Sequence, residues 1–341
     1  MAKAIIAQNE QTRTGELVVQ HLITHPQGIY AVDSGYGRPM LAAVHIIVHK
    51  GHAAVVDTGN NAAVPRVLSA LAQLGIAPGE VDWVLLTHIH LDHAGAAGSL
   101  MCALPTARLV VHPRGVRHMV DPGRLWEGTS AVYGAERAFE LYGRLVPVDA
   151  SRIVTAIDGL ELELAGRRLR MLDTPGHARH HICIWDETSR SFFTGDTFGL
   201  SYRELDVDGR AFIFPTTTPT QFDPAAMHAS IDRLLSFKPR SMYLTHFSRV
   251  TEVERLGADL HRLIDTMVAV AQAARGNGVA RHVEILAGLE QVVREETARQ
   301  SWALSEDDAL ELLRTDLELN AQGLGEWLDS RRELAAGLVS A

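Results

Sequence analysis

Three histidines and one aspartate fall within one short segment of this 341-residue sequence. Residues 87–93 read Thr-His-Ile-His-Leu-Asp-His, so the four groups are His88, His90, Asp92 and His93. In an extended backbone alternate side chains share a face, so the first two histidines point the same way, and a turn after them would bring the other two groups beside them. Without a cation, such crowding would leave buried lone pairs unpaired. The spacing predicts a metal site; the alternative is a pair of hydrogen-bonded core histidines with Asp92 capping a helix.

Four further candidates stand singly along the chain. Asp57 precedes a Thr-Gly pair, Asp196 follows one, His177 follows Thr-Pro-Gly, and His246 follows Leu-Thr. Taken alone, each of these residues also fits an ordinary turn or strand position without a chemical role. Whether these four residues have a chemical role therefore has to be judged from their order along the chain relative to residues 87–93.

That order resembles the metallo-β-lactamase superfamily. The five motifs are Val56-Asp57-Thr58-Gly59, residues 87–93, Thr174-Pro175-Gly176-His177, Thr194-Gly195-Asp196-Thr197 and Leu244-Thr245-His246. The resemblance covers roughly residues 15–250. It implies an α/β fold, the αββα four-layer sandwich, with a two-metal site at one edge of the sheets.

By motif position, the resemblance assigns every ligand of that site. One metal would be bound by His88, His90 and His177, and the other by Asp92, His93 and His246, with Asp196 bridging the two. Asp57 would orient a ligand or a bound water. Five imidazoles and two carboxylates with no thiolate suit zinc best, while iron and manganese accept the same donors.

The region around His181 is similar to the glyoxalase II and thioesterase side of the superfamily. This chain has His180 where that side commonly has glycine, and either histidine is a candidate substrate-binding residue. Tyr202 and Arg203, close to Asp196, are two more candidates, although both also fit surface positions. The glycine-cysteine-glycine and lysine-x-tyrosine pattern that holds glutathione is absent, which argues against glutathione thioesters. No cysteine occupies a ligand position, which argues against β-lactam hydrolysis.

These residues predict a hydrolase. Two cations sharing a bridging hydroxide would attack a small carboxylic ester, thioester or lactone, with Asp92 and Asp196 as the catalytic carboxylates. One alternative is a phosphodiesterase or nuclease that uses the same site. Another is an oxidoreductase resembling the persulfide dioxygenases, which use a single iron. A count of bound metals separates the last alternative from the first two.

The elements that position these residues follow from short apolar runs. Antiparallel strands are expected between residues 17 and 57, and further strands and helices alternate up to residue 250, which we take as the catalytic domain, 1–250. Residues 113–145 suggest a helical lid, with Trp126, Tyr133 and Tyr142 as its aromatic candidates. Residues 251–341 are predicted to form an acidic helical region whose apolar stripes need covering, either by the sandwich or by a second subunit in a homodimer.

Charge and composition limit the classes of molecule that this chain is expected to bind. The formal net charge is −9, and the last 91 residues, with 9 basic and 17 acidic side chains, account for −8 of it. This balance argues against nucleic acid as a partner and favours a small-molecule substrate. Two cysteines, no apolar leader and no apolar run near 20 residues favour the cytoplasm and argue against a membrane location.

Overall fold

The computed structural model describes residues 22–217 and 221–339. Its first sheet has seven strands in sequential order. They are β1 (Leu22–His25), β2 (Ile29–Asp33), β3 (Ala43–His49), β4 (His52–Val56), β5 (Val81–Leu85), β6 (Arg108–Val111) and β7 (Ile153–Thr155). Strands β1 to β4 form the predicted antiparallel meander, and β4 to β7 run parallel. The part of the meander expected before residue 22 lies outside the described residues.

The second sheet has six strands in the order β13-β12-β11-β10-β9-β8. They are β8 (Glu161–Leu164), β9 (Arg167–Asp173), β10 (Ile182–Asp186), β11 (Ser191–Gly195), β12 (Ser241–Leu244) and β13 (Ser248–Val250). Only the β11–β12 pair is parallel, and the helix that connects these two strands makes that parallel pairing possible.

Helices cover the outer face of each sheet. Those within or beside the first half are α1 (Val64–Gln73), α2 (Leu91–Ala94), α3 (Ala97–Ala103), α4 (Val116–Val120), α5 (Gly123–Tyr133) and α6 (Ala135–Tyr142). The later ones are α7 (Pro224–Ser236), α8 (Val253–Ala273), α9 (Gly278–Gln300) and α10 (Glu306–Val339). Among the described residues, no helix has the length and apolarity needed to cross a membrane.

Side chains along each strand alternate between the two faces of its sheet, and this alternation explains the layers of the fold. In β4, Val55 packs in the cluster that includes α1 and α3, whereas Ala54 and Val56 pack in the cluster shared by the two sheets. In β11, Phe193 belongs to the inter-sheet cluster and Phe192 to the cluster beneath the C-terminal helices. Each sheet is therefore buried on both faces, and the predicted four-layer sandwich with helices after residue 250 is confirmed.

The three C-terminal helices share an apolar core with the second sheet. Leu244 of β12 belongs to the same buried cluster as Leu263, Leu289 and Leu313 from α8, α9 and α10. Ser305 caps the start of α10, because its hydroxyl accepts a hydrogen bond from the backbone N–H of Asp308 at 3.1 Å. The apolar stripes are thus covered within one chain; the division into two domains at residue 250 stays a prediction.

A pair of α9 variants tests this packing. Leu289 is fully buried and Val283, on the same helix, is 57% exposed. We expect Leu289→Ala to lower the free energy of unfolding by about 2–5 kcal/mol, because it leaves a cavity in the shared core. Val283→Ala should change it by no more than about 0.5 kcal/mol. Urea denaturation measures both, and equal effects would contradict the packing described here.

Candidate metal centre and substrate pocket

The motif residues meet where strands of both sheets end. His88 and His90 follow β5, and Asp92 and His93 begin α2 directly after them. The loop after β9 carries His177, the turn after β11 carries Asp196, and the turn after β12 carries His246. The sandwich brings all seven side chains to one edge, although they span 159 positions of the sequence.

Two glycines allow the close approach of the ligand-bearing turns. Gly195 has a φ of +48°, and a Cβ there would lie 2.6 Å from both His181 Nε2 and Thr87 Oγ1. Gly176 has a φ of +136°, and a Cβ there would lie 2.4 Å from the Cα of Met227. Both positions therefore need a residue without a side chain.

One group of imidazoles contains His88, His90 and His177. The Nδ1 atom of His90 lies 2.8 Å from His88 Nε2 and 3.1 Å from His177 Nε2. Burial, together with the imidazoles of His93 and His90, holds the pKa of His88 well below its usual value. Burial and the His177 imidazole do the same for the pKa of His90. These rings are therefore neutral at pH 7, which is the protonation state in which histidine binds a metal.

The second group combines Asp92, His93 and His246. Asp92 Oδ2 lies 3.4 Å from His93 Nε2 and 3.3 Å from His246 Nε2. Against the effect of burial, the carboxylates of Asp196 and Asp92 raise the pKa of His246 to about 9. These carboxylates, with that of Asp57, also raise the pKa of His93 well above its usual value. Two imidazoles thus face a local excess of negative charge, the environment that attracts a cation.

Asp196 spans the two groups. Its Oδ1 lies 3.2 Å from His93 Nε2, and its Oδ2 lies 3.4 Å from His177 Nε2. Both His93 Nε2 and Asp196 Oδ1 are buried, and neither forms a hydrogen bond with any residue that the structure describes. An unsatisfied buried polar atom is costly, and a bound cation would satisfy both of these atoms at once. The donor set therefore fits a pair of divalent metals.

Asp57 lies behind these candidate ligands. One of its carboxylate oxygens accepts hydrogen bonds from the backbone N–H and the hydroxyl of Thr87, at 2.8 and 2.9 Å. The other accepts from the Thr245 hydroxyl at 2.8 Å and lies 2.9 Å from His93 Nδ1. The carboxylate holds the ring of His93 so that its Nε2 faces the Asp92 and Asp196 carboxylates. That Asp57 orients a metal ligand stays a prediction.

The four candidate substrate-binding residues have different environments. His180 lies on the wall of the pocket above the cluster, with its ring stacked at 6.2 Å on that of His88. His181 does not line this pocket: it is buried, and its Nε2 accepts a hydrogen bond from the backbone N–H of Asp196 at 3.2 Å. It supports the Asp196 turn instead.

Tyr202 is buried on the pocket wall, not on the surface, because its hydroxyl donates to the carboxylate of Asp316 at 3.1 Å. Arg203 turns away from the pocket. Its guanidinium donates to the backbone carbonyl of Ser201 at 2.7 Å and pairs with Asp206 at 3.2 Å. The structure thus places two of the four candidates, His180 and Tyr202, where a substrate could contact them.

The pocket has a volume of about 1230 Å³. The 113–145 insertion forms one side, including Tyr133 and Tyr142, and the Tyr142 hydroxyl lies 2.8 Å from that of Tyr36. Trp126, expected on the same wall, instead lines a smaller neighbouring cavity with Phe139. Because the helix α5 carries Leu125 and Thr129 towards the main pocket, the adjacent Trp126 faces another direction.

Helix α10 forms part of the pocket, which the sequence reasoning missed. Asn320 accepts a hydrogen bond from the backbone N–H of Thr217 at 2.7 Å and donates to the carbonyl of Pro215 at 3.0 Å. The next residue along this loop, Thr216, donates to the backbone carbonyl of Asp196 at 2.9 Å, and its hydroxyl lies 3.0 Å from His177 Nδ1. The helix is therefore linked to two of the ligand-bearing turns.

A sequence signal for this contribution did exist. Leu312, Asp316, Leu319 and Asn320 are spaced by four, three and one positions, so two polar residues share a helix face with two leucines. Polar residues within an apolar stripe are candidates for a buried functional surface.

Comparison with known proteins agrees with this geometry. Residues 37–246 match the family model of the metallo-beta-lactamase superfamily, which is more than half of the chain. The chain belongs to this superfamily. Its members are mainly metallohydrolases.

Relatives by sequence include a metallo-beta-lactamase fold-containing protein of Sulfurisphaera tokodaii, 25% identical over 64% of this chain and 78% of that protein. A hydroxyacylglutathione hydrolase of Cupriavidus taiwanensis is 34% identical over 55% of this chain and 56% of its own length. The chain thus spans little more than half of that hydrolase.

Solved structures share the fold. A crystal structure of an archaeal superfamily protein from Sulfolobus tokodaii has a TM-score of 0.61 at 23% identity and covers 88% of this chain and 99% of its own. A metallo-beta-lactamase family protein from Thermus thermophilus has a TM-score of 0.59 at 25% identity and covers 84% and 93%. Both matches extend well beyond residues 37–246, so they include part of the helical C-terminal region.

Replacing Asp57 tests its role behind the ligands. We expect Asp57→Asn to weaken metal affinity by about 10–100-fold while leaving every ligand in place, because the His93 ring loses its carboxylate partner. Competition with a chelator measures the affinity. Asp82→Asn is the matched control, since Asp82 contacts the surface His52 at 3.0 Å. Unchanged affinity in Asp57→Asn would contradict the role.

Asp316 should give the fold a characteristic pH dependence. Burial raises the pKa of its carboxyl to about 6, while the unfolded chain has an ordinary value near 3.9. The folded state therefore holds an extra proton between about pH 4 and 6, and this contribution to stability is lost as the pH rises through that window. The free energy of unfolding of Asp316→Asn, relative to wild type, should increase from pH 4 to pH 7. Asp307→Asn on the same helix is the control, and a flat difference for Asp316→Asn would contradict the expectation.

Proposed function

We propose that this chain is a dinuclear metallohydrolase that cleaves a small carboxylic ester, thioester or lactone. The observation that carries the proposal is the position of Asp196, whose two carboxylate oxygens face the two imidazole groups at 3.2 and 3.4 Å. A carboxylate between two complete three-ligand sets is the arrangement needed for two metals. The proposed ligands are His88, His90 and His177 for one metal and Asp92, His93 and His246 for the other, with Asp196 bridging.

The metals and the side chains would have different roles in the reaction. When bound, two divalent ions, best matched by zinc, supply Lewis acidity and lower the pKa of a coordinated water towards neutrality. Asp92 can accept a proton from the attacking water and orient it, because its carboxylate lies on the pocket wall as well as beside His93 and His246. The hydroxyls of Tyr36 and Tyr142 face the same pocket and share one hydrogen bond, so one hydroxyl of the pair keeps a hydrogen that it can donate to a substrate oxygen.

Among the proposed ester, thioester and lactone substrates, the relatives support a thioester. Hydroxyacylglutathione hydrolases from Cupriavidus taiwanensis and Aeromonas hydrophila are 34% and 29% identical to the matched regions. The pattern that holds glutathione is missing from this sequence, so we propose a thioester of a different thiol. The second complete ligand set, Asp92, His93 and His246, favours a two-metal hydrolase over a single-iron dioxygenase.

Metal analysis together with a substrate screen tests the proposal. Wild-type protein should hold two metals per chain and hydrolyse at least one substrate in a panel of thioesters, esters, lactones and phosphodiesters. Asp196→Ala should lose metal and nearly all activity, because both groups lose the carboxylate that joins them. His52→Ala, at an exposed histidine, is the control. One iron per chain with oxygen consumption, or an Asp196→Ala protein with both metals and full rate, would contradict the proposal.

A further inference from the structure

The pocket wall carries a concentration of arginines that the net charge of the chain does not predict. Five of them come from the 113–145 insertion and the loop after His177: Arg114, Arg117, Arg124, Arg137 and Arg179. Arg137 is paired with Glu140 at 2.9 Å. Within residues 22–217 and 221–339, the other four form no salt bridge with a carboxylate. In a protein of net charge −9, four such cations in one pocket indicate a ligand with several negative charges.

These arginines lie next to the first imidazole group. The turn that begins α4 packs closely on the ligand loop, since a Cβ at Gly115 would lie 2.8 Å from Ile89 Cγ2. Arg114 and Arg117 flank that turn, and Arg179 lies two positions after His177. The segments that carry these arginines therefore lie next to the loops of His90 and His177, and both histidines line the same pocket.

The C-terminal helix brings acidic groups to this pocket. Helix α10 contributes Glu311 and Asp316 to the same pocket. A long polyanion lying across the whole pocket would meet these carboxylates, so the distribution argues against a nucleic acid strand. It suits a smaller molecule that has its anionic groups at one end and a neutral group at the other.

The chemistry of arginine and the size of the pocket narrow the ligand further. Guanidinium groups bind phosphate through paired, charge-assisted hydrogen bonds, and several of them together match several phosphates rather than one carboxylate. The volume of about 1230 Å³ exceeds the range of roughly 300–1000 Å³ usual for small-ligand sites. There is room for an acyl group together with an extended carrier.

We propose that the substrate is an acyl thioester whose thiol portion carries phosphate groups, bound by Arg114, Arg117, Arg124 and Arg179. This inference rests on the proposed hydrolase function and names its substrate class. In the reaction, the oxygen of water forms a bond to the thioester carbonyl carbon and the carbon–sulfur bond breaks. The sulfur leaves with the electron pair of that bond and takes up a proton. The products are a carboxylic acid and the free phosphorylated thiol.

The test compares two substrates with the same reacting group in the metal-loaded full-length protein. Acetyl-coenzyme A carries phosphates, and S-acetylpantetheine does not. We expect kcat/KM to be at least about 10-fold higher for the phosphorylated substrate, as several charge-assisted contacts would give. In the Arg114→Gln/Arg117→Gln double variant, the ratio of the two kcat/KM values should fall towards 1, chiefly through KM. Arg108→Gln, at an exposed arginine outside the pocket, should keep the wild-type ratio.

Direct binding separates this inference from the hydrolase proposal. Calorimetry with free coenzyme A measures recognition of the phosphorylated thiol even if no thioester is cleaved. Binding that weakens about 10-fold in the double variant and not in Arg108→Gln supports the inference. Equal kcat/KM for the two substrates, no binding of coenzyme A, or stronger binding of a short single-stranded RNA would overturn it. Hydrolysis of S-acetylpantetheine alone would leave the hydrolase proposal standing while the substrate class failed.

Discussion

One buried carboxylate joins the parts of this molecule that must meet for the site to form. Asp57, at the end of β4, is hydrogen-bonded to Thr87 after β5 and to Thr245 after β12, and it contacts His93 in α2. These partners belong to both sheets and to the first ligand helix. Because a buried carboxylate is costly unless its oxygens are satisfied, the edges of the two sheets are held in one arrangement. Of the seven candidate metal ligands, His93 contacts this carboxylate directly, and His88 and His246 directly follow its partners Thr87 and Thr245 in the sequence.

The second constraint comes from the far end of the chain. The Asn320 side chain in α10 holds the loop at Thr217, and the neighbouring Thr216 contacts both the Asp196 turn and His177. The C-terminal helices therefore do more than cover the apolar face of the second sheet. They complete the pocket wall and fix a loop against two ligand-bearing turns, so the stability of this region and the geometry of the site are coupled.

The pocket also separates charge by element. The insertion and the loop after His177 supply its cluster of arginines, and α10 supplies Glu311 and Asp316. Five of the seven candidate metal ligands line the same space. Neither charged wall is visible in the overall composition, where the first 250 residues are nearly neutral and the tail is acidic. The electrostatic field inside the pocket is thus independent of the net charge of the chain. It is this local field that selects a substrate.

The sequence alone was enough to predict the fold class and the superfamily, and to name the candidate site residues. The candidate ligands could be named because histidines and aspartates at short spacing, followed by motifs in a fixed order, reflect local backbone geometry and family likeness. The helices after residue 250 were predictable because their apolar residues recur at helical spacing. Which surfaces these elements present to each other became visible only in the folded chain. Arg203 and His181 are close in sequence to the ligands yet turn away from the pocket, while Asp316, 120 positions after Asp196, lines it. Periodicity identifies a helix and its buried stripe, but the packing of α10 against α8 and α9 depends on contacts among distant residues, which no local pattern records.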